Sequence, residues 1–179
     1  TTDRELGPEG PAPCPEGIKH ILPHFSRMPK CLLKNPTKIP DGIIGVCHMT
    51  LTESLEIKTA SWRDLFAVQE IERTCFKEDA WPLMELMAAL TLPQIVRLKA
   101  GKEHLIAGFI AGEMRRSEQT GWILTLGVLP QYRRQGLAAA LLLECERRLN
   151  MPAVKLSVRR SNQPAIHLYQ KLGYAQVDV

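Results

Sequence analysis

Residues 133–139 read Arg-Arg-Gln-Gly-Leu-Ala-Ala, and they join an apolar run, Trp122 to Leu129, to an uninterrupted helical pattern, Leu137 to Leu149. A strand that turns into a helix at a single glycine constrains the fold strongly. The first helical turn is left at the end of a sheet strand, with its backbone N–H groups unpaired. Such a turn cradles phosphate: it offers consecutive N–H donors and the positive end of the helix dipole. Gly136 lets the backbone approach a pyrophosphate where a Cβ would intrude, and Arg133 and Arg134 add positive charge for the same anion. The spacing argues against ATP and NAD. No Gly-Lys-Ser/Thr follows, as a Walker loop requires, and one glycine stands where a dinucleotide fingerprint has three.

A second unit follows: Val154 to Val158 alternates as a strand, and Arg159 to Tyr174 holds a capped short helix. Two segments, in this order and at this separation, carry a resemblance. One is Leu126-Gly-Val-Leu-Pro-Gln-Tyr-Arg-Arg-Gln-Gly-Leu-Ala138; the other is Ser161-Asn-Gln-Pro-Ala-Ile-His-Leu-Tyr-Gln-Lys-Leu-Gly-Tyr174. From about Leu55 to its end the chain resembles the GNAT superfamily of acetyl-CoA-dependent N-acetyltransferases, most closely the RimI-type ribosomal-protein-alanine N-acetyltransferases. The resemblance implies an α/β fold with a central mixed, mainly antiparallel sheet flanked by helices.

The remaining chain fits that expectation. Ser61 with Asp64 reads as a helix cap before Leu65, Val68, Ile71 and Cys75 at helical spacing. Trp81-Pro82 precedes a second helix through Leu83, Leu86, Met87 and Leu90. Both helices border the acceptor site in the family, so Phe76 and Trp81 are candidates for its entrance, although large aromatics between helices are more often core. Leu55 to Lys58, Gln94 to Leu98, Leu105 to Gly112 and Trp122 to Leu129 read as strands, the last three as a meander.

Composition sets the setting. A net charge of +4 is too slight to argue for a nucleic-acid partner. Five scattered cysteines without a Cys-x-x-Cys pair point to free thiols in a reducing cytoplasm rather than to disulfides or a metal site. The longest apolar runs, such as Leu105 to Gly112, fall far short of a membrane span. Eight of the thirteen prolines lie before Asp41, so residues 1–50 read as a Pro-rich extension and 51–179 as the acetyltransferase domain. Asp41 to Thr52 alternates enough to form a strand.

Moving an acetyl group from a thioester to an amine needs a neutral amine, a polarised carbonyl and a proton for the departing thiolate. The resemblance implies where these come from. A pantetheine arm would pair like an added strand with Leu126, Gly127 and Val128. Main-chain N–H groups of Arg134, Gln135, Gly136, Leu137, Ala138 and Ala139 would hold the pyrophosphate. Asn162, which by its position before Pro164 is also a helix cap, would bond the pantetheine. Tyr169 is the candidate general acid, because a phenol keeps its proton at neutral pH; His167 falls on a different side of the short helix.

Two departures stand out. Twelve positions before Tyr169, where RimI-type enzymes carry a glutamate base and related enzymes a histidine, this chain has Ser157. A serine cannot hold a proton at neutral pH; it can orient a water toward a more distant acid such as Glu113, or the amine arrives already neutral. The chain also stops at Val179, short of the strand the family adds after its Gly-Tyr strand. That leaves a fragment, a substituting segment such as Asp41 to Thr52, or a partner chain, a homodimer included, to pair the open edge. The expected acceptor is a protein N-terminal α-amine, plausibly a ribosomal protein's alanine. Lysine and small-molecule amines are the rival acceptors, and a degenerate acyl-CoA-binding module is the rival from another class.

Overall fold

The computed structural model describes residues 31–34, 55–102 and 105–177. In chain order the elements are β1 (Cys31–Lys34), β2 (Glu56–Thr59), α1 (Leu65–Phe76), α2 (Leu83–Thr91), β3 (Ile95–Lys102), β4 (Leu105–Arg115), β5 (Thr120–Val128), α3 (Leu137–Leu149), β6 (Ala153–Ser157), α4 (Gln163–Lys171) and β7 (Ala175–Val177). The strands form one sheet in the order β2-β3-β4-β5-β6-β1-β7. From β2 to β5 every neighbour is antiparallel, as the meander reading expects. Helix α3 then crosses over, so that β6 runs parallel to β5.

Local chemistry places the helices. The Ser61 N–H donates to Asp64 Oδ2 at 2.9 Å just ahead of α1, and Lys99 Nζ on β3 holds the same carboxylate at 2.6 Å. Strand residues alternate between two layers. Phe109 and Ala111 of β4 pack on α1 and α2 with Val68, Ile71, Leu86 and Leu90. Ile110 turns the other way, toward Leu141, Leu142 and Cys145 of α3 and Ile166 and Tyr169 of α4.

The far end of the sheet corrects the sequence reading. Cys31–Lys34, taken as part of an extension, is a strand of the domain: it lies between β6 and β7, antiparallel to both, with Cys31 opposite Ser157 and Val177. This earlier segment supplies the strand expected to be missing, inside the sheet, and β7 is the edge among the described residues. Asp41 to Thr52, the substitute first considered, lies outside the described residues. Leu32 is only 1% exposed and joins the α3 core, which contributes about 2 kcal/mol. Lys34 Nζ reaches Glu146 Oε2 of α3 at 2.8 Å, and the Tyr174 hydroxyl donates to the other carboxylate oxygen at 2.8 Å. Both oxygens of a buried carboxylate are thus satisfied, one of them by a cation from β1.

Removing that cation leaves Glu146 charged and buried, which typically costs about 3–5 kcal/mol. Lys34→Ala should therefore lower the unfolding free energy by that amount in urea titrations; a loss below about 1 kcal/mol would show that β1 is not a fixed part of the sheet.

Candidate active site

The parallel pair β5–β6 is short. Thr120 to Ile123 face Ala153 to Leu156, after which β6 ends at Ser157 while β5 continues to Val128. The cause lies on the other side of β5. Ala111 faces Thr125 but Gly112 faces Ile123, so Leu124 is an extra residue, and a bulge of this kind bends and twists its strand. Leu126, Gly127 and Val128 are thereby carried away from β6, and among the described residues no strand pairs with their β6 side. The α1 helix closes the back of this notch: a Cβ on Gly127 would lie 2.9 Å from Ile71 Cγ2, and Cys75 Sγ contacts the Val128 carbonyl at 3.3 Å.

The notch runs into the glycine turn. Arg134 and Gly136 both adopt left-handed backbone, with φ of 65° and 81°. A Cβ on Gly136 would meet nothing within 4 Å, so the glycine is required by its backbone angle, and the space before it is open. The Ala140 N–H donates to the Gly136 carbonyl at 3.0 Å, which leaves the N–H groups of Leu137, Ala138 and Ala139 outside the helical ladder. Arg133 departs from expectation. Its Nε donates to the Val128 carbonyl at 2.9 Å and its guanidinium lies 3.7 Å from Cys75 Sγ, so it ties the turn to β5. Arg134 is exposed, and Gln135 Nε2 donates to the Gln131 carbonyl at 3.2 Å.

Helix α4 carries Asn162 at its cap and Tyr169 in the core layer it shares with α3. Asn162 Oδ1 accepts the Ala165 N–H at 3.3 Å, the capping role read from sequence, and the residue is exposed. Tyr169 is buried, and its hydroxyl has no hydrogen-bond partner among the described residues. Burial pushes its pKa up to about 12. Tyr174, 5.7 Å away between ring centroids, is the structural tyrosine: burial, then the charge of Glu146, drives its pKa well above the usual value. His167 is exposed. Asp79, after α1, and Arg159, after β6, form an ion pair that joins the two loops. Phe76 and Trp81 are both half-buried.

Ser157 sits at the level of Leu124, where the strands part. Leu156 belongs to the α3 core, so the Ser157 side chain takes the α1 face, opposite Cys31. Glu113 is a poor relay partner for it. Arg115 Nε holds its carboxylate at 2.9 Å, and β5 stands between β4 and β6, a separation of about 10 Å. One carboxylate was missed in the sequence: Glu72, 1% exposed, whose Oε1 accepts the Thr125 hydroxyl at 2.6 Å and whose Oε2 lies 3.5 Å from the Trp81 N–H. Its signal was a charged residue four positions after Val68, on the apolar stripe of α1. Among the described residues no cluster of His, Cys, Asp and Glu is suited to a metal.

Comparison with known proteins gives the family and the fold. The acetyltransferase (GNAT) family model matches residues 57–174. The N-terminal acetyltransferase A complex catalytic subunit NAA10 of Arabidopsis thaliana is 32% identical over 130 residues, 69% of this chain and 68% of that protein. Among solved structures, the ribosomal-protein-S18-alanine N-acetyltransferase of Escherichia coli superposes with a TM-score of 0.61 at 25% identity, covering 67% of this chain and 77% of that one. The PaiA N-acetyltransferase of Thermoplasma acidophilum, solved with coenzyme A, shares the fold at 23% identity and a TM-score of 0.59, over 66% and 87% of the two chains.

The seat of α1 against the notch can be checked without substrate. Gly127→Ala would press its methyl against Ile71 Cγ2 at 2.9 Å, an overpacking that costs about 1–3 kcal/mol. Urea unfolding should register that loss, and an unchanged midpoint would mean that α1 does not rest on β5 as described.

Proposed function

The chain belongs to the acetyltransferase (GNAT) family, and from that premise we propose that it acetylates the N-terminal α-amine of a protein, with acetyl-CoA as donor. The observation that carries the proposal is the notch between β5 and β6, which runs into a helix start whose first N–H groups lie outside the helical ladder, while Tyr169 of α4 keeps a hydroxyl without a hydrogen-bond partner among the described residues. A pantetheine arm, peptide-like in its amides, would pair as an added strand with the side of Leu126, Gly127 and Val128 that β6 leaves uncovered, up to the Val128 carbonyl that Arg133 already occupies. The pyrophosphate then falls to the main-chain N–H groups of Arg134 through Ala139 and the dipole of α3. The Asn162 side-chain amide, whose oxygen alone serves the cap, is free to bond the pantetheine.

In the reaction the amine nitrogen attacks the thioester carbonyl, the N–C bond forms, and the C–S bond breaks. Tyr169 protonates the departing thiolate and regains a proton from the acylated nitrogen. Its raised pKa keeps that proton available through the neutral and mildly alkaline range.

The acceptor follows from proton chemistry and from the relatives. An α-amine, titrating near pH 8, is roughly one-tenth neutral at pH 7, whereas a lysine near 10.4 is neutral in less than about one molecule in a thousand. An active site without a base at Ser157 therefore favours α-amines. NAA10 is named as part of an N-terminal acetyltransferase complex and the Escherichia coli enzyme as an N-acetyltransferase of a ribosomal protein's alanine, and such an alanine is one candidate. A reducing cytoplasm suits the free thiols of Cys31, Cys75 and Cys145.

The test incubates the chain with acetyl-CoA and peptides of varied N-termini and internal lysines, and locates added acetyl by mass spectrometry. Acetylation should fall on α-amines. Tyr169→Phe should lower kcat by about 10²–10⁴-fold with acetyl-CoA affinity kept, whereas Tyr174→Phe should lower stability and spare kcat. Because the Tyr169 phenol titrates only at about 12, kcat should not decline between pH 8 and 10. Acetyl-CoA binding without any acetylated peptide would move the reading to a non-catalytic acyl-CoA-binding module, and lysine products would replace the acceptor.

A further inference from the structure

Glu72 is the buried carboxylate that neither the packing nor the reading above uses. It sits one turn before the end of α1, against the bulged part of β5, and among the described residues no cation pairs with it. Burial is the chief cause that raises its pKa to about 7, and no charged neighbour contributes to the shift. The groups that meet it are the Thr125 hydroxyl of β5 and the Trp81 N–H of the α1–α2 connection, and its helix neighbours Val68 and Ile71 belong to the apolar layer that α1 shares with α2 and β4. Cys75, on its own helix, is the titratable neighbour; its thiol is raised first by burial, and Glu72 adds to that. Arg133 is drawn to Cys75 and the Val128 carbonyl instead. A buried carboxylate without a cation costs stability, and such groups cluster where a proton must be moved.

Its one strong bond points to the reacting centre. Thr125 immediately precedes Leu126, on the stretch of β5 that has left β6, and its side chain takes the α1 face because it bonds a residue of α1. Ser157 takes that same face at the level of Leu124, so the Thr125 hydroxyl lies on the neighbouring strand, one residue beyond the level of Ser157.

We infer that Glu72, acting through the Thr125 hydroxyl, takes the proton of the incoming ammonium, the task that Ser157 cannot perform. The inference rests on the acetyl-transfer reading. The ammonium gives a proton to Thr125 Oγ1 as Thr125 passes its own to Glu72 Oε1, and the neutral amine attacks. The acylated nitrogen's second proton replaces the one Tyr169 gave the thiolate, and Glu72 releases its proton to water. One proton is freed per acetyl transferred. Thr125 is the group that meets the amine; Glu72 is a positioning and proton-holding residue behind it.

The experiment is kcat against pH from 6 to 9.5, at saturating α-amine peptide, for wild type, Glu72→Gln, Thr125→Val and Thr125→Ser. Acetyl-CoA affinity serves as the check on folding. Wild-type kcat should rise through pH 7 and level off. Glu72→Gln and Thr125→Val should each lose about 100-fold at pH 7 and recover to within about threefold at pH 9.5, where an amine of pKa near 8 is neutral unaided. Thr125→Ser should stay within about threefold throughout. Equal losses at every pH, or no loss, would overturn the relay and leave the acetyltransferase reading standing; should Glu72→Gln fail to fold, the two Thr125 variants decide alone. A wild type that acetylates no amine would overturn both.

Discussion

The parting of β5 from β6 after Ile123 and Leu156 is the constraint on which the rest of the molecule depends. A parallel pair in mid-sheet normally leaves no backbone free, because each strand satisfies the other. Here the extra residue Leu124 bends β5 just where β6 stops. The result is a wedge between two strands inside a sheet rather than at its edge, walled by α1 behind Gly127. The glycine turn is the continuation of the same strand, so one local irregularity sets both the stretch of β5 that β6 leaves uncovered and its distance from the helix N–H groups.

The wedge can persist only if both halves of the sheet are separately anchored. The β2–β5 half is held by long antiparallel pairings and by α1 and α2. The β6 half is small, and alone it would be a short strand beside a three-residue strand, β7. Insertion of β1 gives β6 a second neighbour, and the Lys34–Glu146–Tyr174 cluster fastens that neighbour to α3. The order of strands in space is thus indifferent to their order in the chain: what the position demands is an extended segment with an apolar residue facing α3 and a cation to meet Glu146.

Elements with a strong period were legible. The cradle, the α3 helix at Leu137–Leu149, the Asn162 cap and the meander follow from apolar spacing and turn chemistry. Strand ends were not: β3 runs to Lys102 because pairing with β4 outlasts the apolar run. Cys31–Lys34 was illegible because four residues between Pro29 and Pro36 carry no period, and only tertiary context makes them a strand. Arg133 was read as an anion ligand because charge beside a glycine turn suggests one; its length lets it fold back onto the Val128 carbonyl instead. Glu72 was hidden by assuming that every position on the α1 stripe is apolar.

The two buried carboxylates show how one core makes opposite uses of the same group. Glu146 has a cation and a phenol on its two oxygens, so its charge is compensated and its role is to hold β1. Glu72 has a hydroxyl and one distant N–H. Its folded pKa is raised from 4.5 to about 7, so the folded state binds the proton more tightly than the unfolded chain, and the stability it confers is present at low pH and lost as pH rises toward and through 7. Near neutrality the two protonation states are therefore close in free energy. A carboxylate in that condition exchanges its proton at little cost, so the environment that burial builds around Glu72 suits proton transfer, whereas the bonds to Lys34 and Tyr174 suit Glu146 to fastening β1.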